Sequence, residues 1–150
     1  MSIPIIEISK PEQVKVLALE EGHFCDMKST AIAPAKLTRT IAAFSNAEGG
    51  EIYIGISQDA ARANSWAGFV NPEAANGHLQ AFEGLFPLGE GYSYSFLRSI
   101  AAAGLVLKVD INKSRTVKQA SDSRVYIRRG AQNLPCQTED DLARLRRNRG

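Results

Sequence analysis

The sequence predicts an α+β fold with a mixed, mostly antiparallel sheet and packed helices. Leu37, Ile41 and Phe44 recur at helical spacing and place one apolar face on a helix. Residues 92–97 and 105–111 alternate in the way that adjacent antiparallel strands do. The predicted order of elements, αβαβαβββα, favours helices packed on a sheet that is not built from regular parallel crossovers.

The boundaries of the predicted elements follow from local signals. Pro11 and Pro34 suit the first turn of a helix, and Gly49–Gly50 ends the second helix. Thr138 is placed to cap the last helix, with Asp141 at its third position. The predicted helices are residues 11–21, 34–48, 72–86 and 138–147, and the predicted strands are residues 23–28, 51–56, 92–97, 105–111 and 124–128. Residues 57–71 and 112–123 are predicted to be loops.

Composition indicates one globular domain that spans residues 1–150. The chain has 44% hydrophobic residues, which is enough to bury a sizeable core at this length. Its formal charge of +2 is too small to indicate a nucleic-acid partner by itself. The charge is uneven, however, because seven arginines fall between Arg124 and Arg149. A local basic cluster of this kind matters more for nucleic-acid binding than the total charge.

Cysteine content and hydropathy bear on location. The two cysteines, Cys25 and Cys136, are too few for a disulfide scaffold, and Cys25 falls on the strand face that is predicted to point inward. Reduced thiols in a cytoplasmic protein are therefore expected. The sequence has no apolar stretch of transmembrane length and no signal peptide, so a membrane partner and secretion are not expected.

Several short motifs occur in a fixed order along the chain. Residues 21–28 read Glu-Gly-His-Phe-Cys-Asp-Met-Lys, and residues 43–50 read Ala-Phe-Ser-Asn-Ala-Glu-Gly-Gly. Residues 54–59 read Ile-Gly-Ile-Ser-Gln-Asp, and residues 126–130 read Tyr-Ile-Arg-Arg-Gly. This series, over about residues 20–146, resembles the Schlafen AlbA_2 family of DNA-binding or ATP-binding modules. Members usually continue into a further domain, so the resemblance implies either a piece of a longer protein or a small stand-alone member.

Three acidic residues form a candidate metal site. Clustered carboxylates can bind Mg²⁺ or Mn²⁺, which then activates water and stabilises charge on a phosphate. Schlafen relatives that cleave tRNA or rRNA use two acids five residues apart and a third after the Gly-Gly strand; Glu21 and Asp26 match that spacing. Asp59 is the candidate for the third ligand, although one extra residue precedes it. Lys28, on the same strand face as Asp26, would support the phosphate.

Each of these residues also has a simpler interpretation. Glu21 is equally suited to a solvated position at the end of a helix. Asp26 and Lys28 can form an exposed ion pair, which contributes less than ~1 kcal/mol. Asp59 can cap a turn after its strand.

A second group of residues predicts a basic face. On the strand of residues 124–128, alternate side chains share one face and can contact phosphates or stack on a base. Two cations on the helix that begins at Pro34 would extend this surface. The predicted nucleic-acid contacts are Lys36, Arg39, Arg124, Tyr126, Arg128 and Arg129. The alternative is an ordinary solvent-exposed face.

Nucleic-acid binding through the basic face is the favoured function, because it requires no acidic cluster. The alternative is a metal-dependent endoribonuclease acting on tRNA or rRNA, and the second alternative is a protein-interaction domain; whether the chain is an enzyme stays open. The Gly49–Gly50 turn lacks the lysine and hydroxyl of a P-loop, so ATP binding has no support from these residues. Exposed strand edges, and relatives that pair, also suggest a homodimer.

Overall fold

Four helices and nine strands make up the described part of the chain, residues 3–61 and 63–147 of the computed structural model. The helices are α1 Lys10–Leu17, α2 Pro34–Asn46, α3 Asn76–Glu83 and α4 Glu139–Arg147. The strands are β1 Ile5–Ile8, β2 Cys25–Lys28, β3 Gly50–Ile54, β4 Ile56–Gln58, β5 Asn64–Trp66, β6 Tyr92–Ser99, β7 Leu105–Ile111, β8 Tyr126–Arg129 and β9 Gln132–Pro135. A 3₁₀ helix, Pro72–Ala75, precedes α3. None of the described helices has the length and apolar character needed to cross a membrane.

Five strands form the central sheet, in the order β1-β6-β7-β3-β2. The three inner strands pair antiparallel, as β6 with β7 and β7 with β3. The two outer strands, β1 and β2, run parallel to their neighbours. Two further antiparallel pairs, β4–β5 and β8–β9, lie outside this sheet. The predicted α+β class with a mixed, mostly antiparallel sheet is confirmed.

Apolar side chains cover the sheet on both faces, because successive strand residues point to opposite sides. On the first face, α2 and α3 pack over the larger core, in which Leu37, Ile41 and Phe44 are fully buried. On the second face, α1 and β5 cover a smaller cluster around Met27 and Tyr53. The apolar residues that recur at helical spacing in the sequence of α2 are therefore the ones that the helix buries in the core.

The structure also departs from the predicted boundaries. The first helix ends at Leu17, so Glu21 lies beyond it. The predicted strand 51–56 breaks at Gly55, whose φ of +124° favours glycine. Gly55 also lies so close to Gly68 that a Cβ at position 55 would be 2.9 Å from the Gly68 Cα. The chain then continues as the β4–β5 hairpin, in a segment predicted to be loop. Strands β1 and β9 were not predicted.

The chemistry of Cys25 follows from its half-buried place on the second face of the sheet. Burial, with a further contribution from Glu51, raises the pKa of its thiol to about 11. At about pH 8 the thiolate fraction is then about 100-fold below that of an unperturbed thiol, and the thiolate is the reactive form. We expect iodoacetamide to modify Cys25 correspondingly slowly in the folded protein, as followed by mass spectrometry. Equal rates in the folded and the urea-unfolded chain would contradict this expectation.

Candidate functional site

Asn46, the last residue of α2, connects three segments of the chain. Its Nδ2 donates hydrogen bonds to the carbonyl oxygens of Lys118 and Tyr126, each at 2.8 Å. Its Oδ1 accepts a hydrogen bond from the amide of Lys118, also at 2.8 Å. The side chain is 1% exposed, so the asparagine of the Ala-Phe-Ser-Asn motif acts inside the protein. It fixes β8 and the segment before it against the end of α2.

Arg128, on β8, is fully buried at 1% exposure. Its Nε donates to the carbonyl oxygen of Gly22 at 3.0 Å, and its Nη2 donates to that of Cys25 at 3.3 Å. Its Nη1 donates to Asp26 Oδ2 at 3.0 Å and to Asn133 Oδ1 at 2.7 Å. The guanidinium thus satisfies carbonyl groups at the edge of the sheet near β2 and joins that edge to the β8–β9 hairpin.

The prediction of an exposed Arg124, Tyr126 and Arg128 face is therefore wrong for two of its members. Tyr126 is only 7% exposed, and Arg128 packs over the ring of Phe44 at 4.7 Å. The physical reason is that this face of the hairpin lies against α2 and not against solvent. Arg124 and Arg129 are exposed as expected.

Asp26 is the buried acid of the site. It is 1% exposed, so the interpretation of Asp26 and Lys28 as an exposed pair is wrong. Lys28 Nζ lies 3.3 Å from Asp26 Oδ1, although that oxygen has no hydrogen-bond partner among the described residues. Partial burial and the charge of Asp26 raise the pKa of the Glu21 carboxyl, with burial the larger cause. The structure thus brings Glu21, Asp26 and Lys28 together.

Asp59 is engaged elsewhere. It lies exposed after β4, where its Oδ1 accepts hydrogen bonds from the amides of Ala61 and Ala63, both at 2.9 Å. Within residues 3–61 and 63–147, no group of three His, Cys, Asp or Glu side chains could hold a metal ion. Asp26 is also already paired with two cations. The residues present therefore do not fit the expected three-carboxylate Mg²⁺ or Mn²⁺ site, and the roles of Glu21, Asp26 and Asp59 as metal ligands stay predictions.

A cleft of about 270 Å³ opens where the end of β2 meets α2 and the β8–β9 hairpin. We call it the basic cleft. Its lining residues are Lys28, Ile32, Lys36, Arg39, Thr40, Tyr126 and Asn133. Three of them are cations and none is a carboxylate. Lys36 and Arg39, predicted as nucleic-acid contacts, thus share one cavity with Lys28, which was predicted to have a catalytic role.

Arg39 is held in place by its neighbours. Its Nε lies 3.2 Å from Asp122 Oδ2, and its guanidinium carbon lies 5.8 Å from the centre of the Tyr126 ring. The Tyr126 hydroxyl donates to the same Asp122 oxygen at 2.6 Å. Burial acts to raise the pKa of Asp122, but the bonds from Tyr126 and the Arg124 amide outweigh it, so this pKa lies below its ordinary value.

Two residues that line the basic cleft, Thr40 and Asn133, are connected by hydrogen bonds to Arg128. Asn133 Nδ2 donates to Thr40 Oγ1 at 2.9 Å, while Asn133 Oδ1 accepts from Arg128. Sequence reasoning missed Thr40 and Asn133, which are 93 residues apart in the chain. No local pattern pairs them, and β9, which carries Asn133, was itself not predicted.

Comparison with known proteins gives a family and a fold. The family model described as Schlafen, AlbA_2 matches residues 21–137. Among solved structures, 17 chains match. One is the crystal structure of the DIP2311 protein from Corynebacterium diphtheriae, with 15% identity and a TM-score of 0.57. The similarity covers 84% of this chain but 29% of that one, and at this identity it shows the fold alone. No curated protein matches the chain.

Proposed function

The chain belongs to the Schlafen AlbA_2 family, and we propose that it binds nucleic acid by holding a backbone phosphate in the basic cleft. The observation that carries the proposal is the convergence of Lys28, Lys36 and Arg39 on one cavity with no carboxylate in its lining. Cations grouped in this way, next to neutral polar groups, are the usual means by which proteins contact phosphate oxygens.

The three cations would act differently on a phosphate. Arg39 presents a planar fork that can bind two oxygens at once, and Asp122 and Tyr126 already fix its orientation. Lys28 and Lys36 supply point charges on flexible stems. Because Arg128 pairs with Asp26, the charge of Lys28 is not the sole compensation for that buried carboxylate. The fixed orientation of Arg39 also lowers the cost of binding, because its side chain does not have to be immobilised when the phosphate arrives.

Tyr126 has a different role in this proposal from the stacking platform expected from sequence. Its ring is buried and lies beneath the Arg39 guanidinium, so it supports Arg39 and does not receive a base. Arg124 and Arg129 are exposed outside the basic cleft. As additional phosphate contacts, they stay predictions.

The test is a pair of neutralised variants. We expect Lys36→Gln with Arg39→Gln to weaken binding of a labelled single strand of about 20 nucleotides about 10-fold or more, as measured by fluorescence anisotropy. The slope of log affinity against log salt should fall by about 1 to 2, because up to two phosphate contacts are lost. The control, Lys10→Gln with Lys15→Gln, makes the same charge change on α1, which packs on the opposite face of the sheet.

Other outcomes of the same experiment decide among the alternatives. Equal affinity of the cleft variant and the wild type would overturn the proposal. No binding of single-stranded or duplex DNA or RNA at low salt would favour the protein-interaction domain. Cleavage of a tRNA pool with Mg²⁺ or Mn²⁺ but not with EDTA, lost in Glu21→Gln, would favour the ribonuclease. Glutamine keeps the size of this partly exposed side chain, so the variant tests chemistry without opening a cavity.

The homodimer expected from sequence stays a prediction. In the structure, β1 forms an edge of the central sheet and carries Ile5 and Ile6 at 39% and 46% exposure. Light scattering on the purified chain measures its oligomeric state directly. It should accompany the binding assay, because two copies would double the number of cleft sites.

A further inference from the structure

The segment of residues 112–122, predicted from sequence as a loose loop, follows α2 along its length. The amide of Ser114 donates to the carbonyl oxygen of Ser45 at 2.9 Å. At the other end, the amide of Ser121 donates to Thr38 Oγ1 at 3.0 Å. The segment therefore runs antiparallel to α2 and ends at Asp122, next to the basic cleft.

Three cations of this segment, Lys113, Arg115 and Lys118, form what we call the second basic cluster. They line a depression of about 490 Å³ opposite the turn of residues 89–91. None of the three forms an ion pair with a described residue, and Glu90 is the single acid in the lining. Arg115 also lines an adjoining depression with Arg146 of α4, which extends the positive surface.

We infer that the second basic cluster contacts the backbone of the same nucleic-acid strand that the basic cleft holds. This inference rests on the proposed function. From Arg39 to Ser45 the helix rises about 9 Å, at 1.5 Å per residue. One strand of a double helix advances about 3.4 Å per phosphate. A strand of more than about three nucleotides is then long enough to occupy both places.

The lining of the depression favours nucleic acid over a protein partner. It consists of glycine, glutamate, asparagine, lysine, serine, arginine and threonine, with no large apolar side chain. Most of the affinity of a protein interface comes from a few buried residues, mainly tryptophan, tyrosine and arginine, that fill well-packed pockets. Phosphate contacts require only cations, hydroxyl groups and amide donors. The depression offers those groups and offers no apolar pocket.

The second basic cluster is also ordered before any ligand arrives. The amide of Asn112 donates to the Gly91 carbonyl oxygen at 2.8 Å, and Asn46 binds both backbone groups of Lys118. The Lys118 ammonium lies 5.9 Å from the centre of the Tyr92 ring. A backbone fixed at both ends does not have to be ordered when the strand binds, which lowers the cost of binding.

The experiment compares two probe lengths in a variant with Lys113→Gln, Arg115→Gln and Lys118→Gln. We expect binding of the labelled single strand of about 20 nucleotides to weaken about 10-fold or more, with a salt slope lower by about 2 to 3. Binding of a strand of about 3 nucleotides, followed by NMR titration, should not change, because it fills only the basic cleft. The control variant, Lys10→Gln with Lys15→Gln and Arg98→Gln, has the same net charge. Thermal unfolding checks that each variant is folded.

The outcomes separate this inference from the proposed function. If the triple variant binds the long strand as the wild type does, while the cleft variant does not, the inference is overturned and the proposed function stands. If the triple variant loses affinity for both probes equally, the two basic regions are not separate contacts, and the inference also fails. If the cleft variant binds both probes normally, the proposed function itself fails.

Discussion

Replacement of Arg128 by alanine is expected to lower the free energy of unfolding by about 3–5 kcal/mol, since it leaves a buried carboxylate without its closest cation. The change removes the bond to Asp26 and also the donors to the carbonyl oxygens of Gly22 and Cys25. It opens a cavity over Phe44 as well. Lys28 remains 3.3 Å from Asp26 Oδ1, but one ammonium group does not replace the three arginine nitrogens that contact Gly22, Asp26 and Cys25.

Urea unfolding measures this effect, and the chain supplies a matched control. Arg129 is the next residue on the same strand and is exposed, so Arg129→Ala should change stability by less than about 0.5 kcal/mol. A double-mutant cycle with Asp26→Asn should show coupling between the two positions, because each residue neutralises the other. A cost below about 1 kcal/mol for Arg128→Ala would contradict the assignment of Arg128 as a buried structural cation.

The position of Arg128 also shows where sequence reasoning stops. Alternation along residues 124–128 separates two faces of a strand correctly, but it does not say what each face meets. The sequence favours the apolar face as the buried one, and Ile127 does lie near α4. The opposite face is buried too, against α2 and β2. The charge of Arg128 on that face is compensated by Asp26, which is 102 residues away, and no local sequence pattern encodes that pairing.

Helices and strands with strong local periodicity were predicted well, because the signal for each of them lies within a short stretch of sequence. The apolar face of α2 and the antiparallel pairing of β6 with β7 depend on side chains close together in sequence. The basic cleft is an intermediate case. Lys36 and Arg39 were recognised as cations on one helix, but Lys28 joins them only because β2 ends beside that helix. Composition marked the cations; tertiary structure decided which of them meet.

Replacement of Asn46 by alanine is expected to cost about 3 kcal/mol, because three buried backbone groups lose their partner. Asn46→Asp should cost at least as much. Its carboxylate would face the carbonyl oxygens of Lys118 and Tyr126, which accept hydrogen bonds and cannot donate them. A protonated carboxyl can still donate one bond, so the difference between this variant and the wild type should narrow as the pH is lowered.

Hydrogen exchange and binding together test the role of Asn46. The Lys118 backbone amide, which donates to Asn46 Oδ1, should exchange with solvent faster in Asn46→Ala than in the wild type. The control is Asn112→Ala, which truncates an exposed side chain in the same segment and should leave the exchange rate of the Lys118 amide unchanged. A variant that stays folded should also lose affinity for the long strand, since the second basic cluster is no longer held against α2. Unchanged exchange together with a stability loss under about 1 kcal/mol would show that the segment is fixed by its other contacts. In that case the asparagine of the family motif would need another explanation.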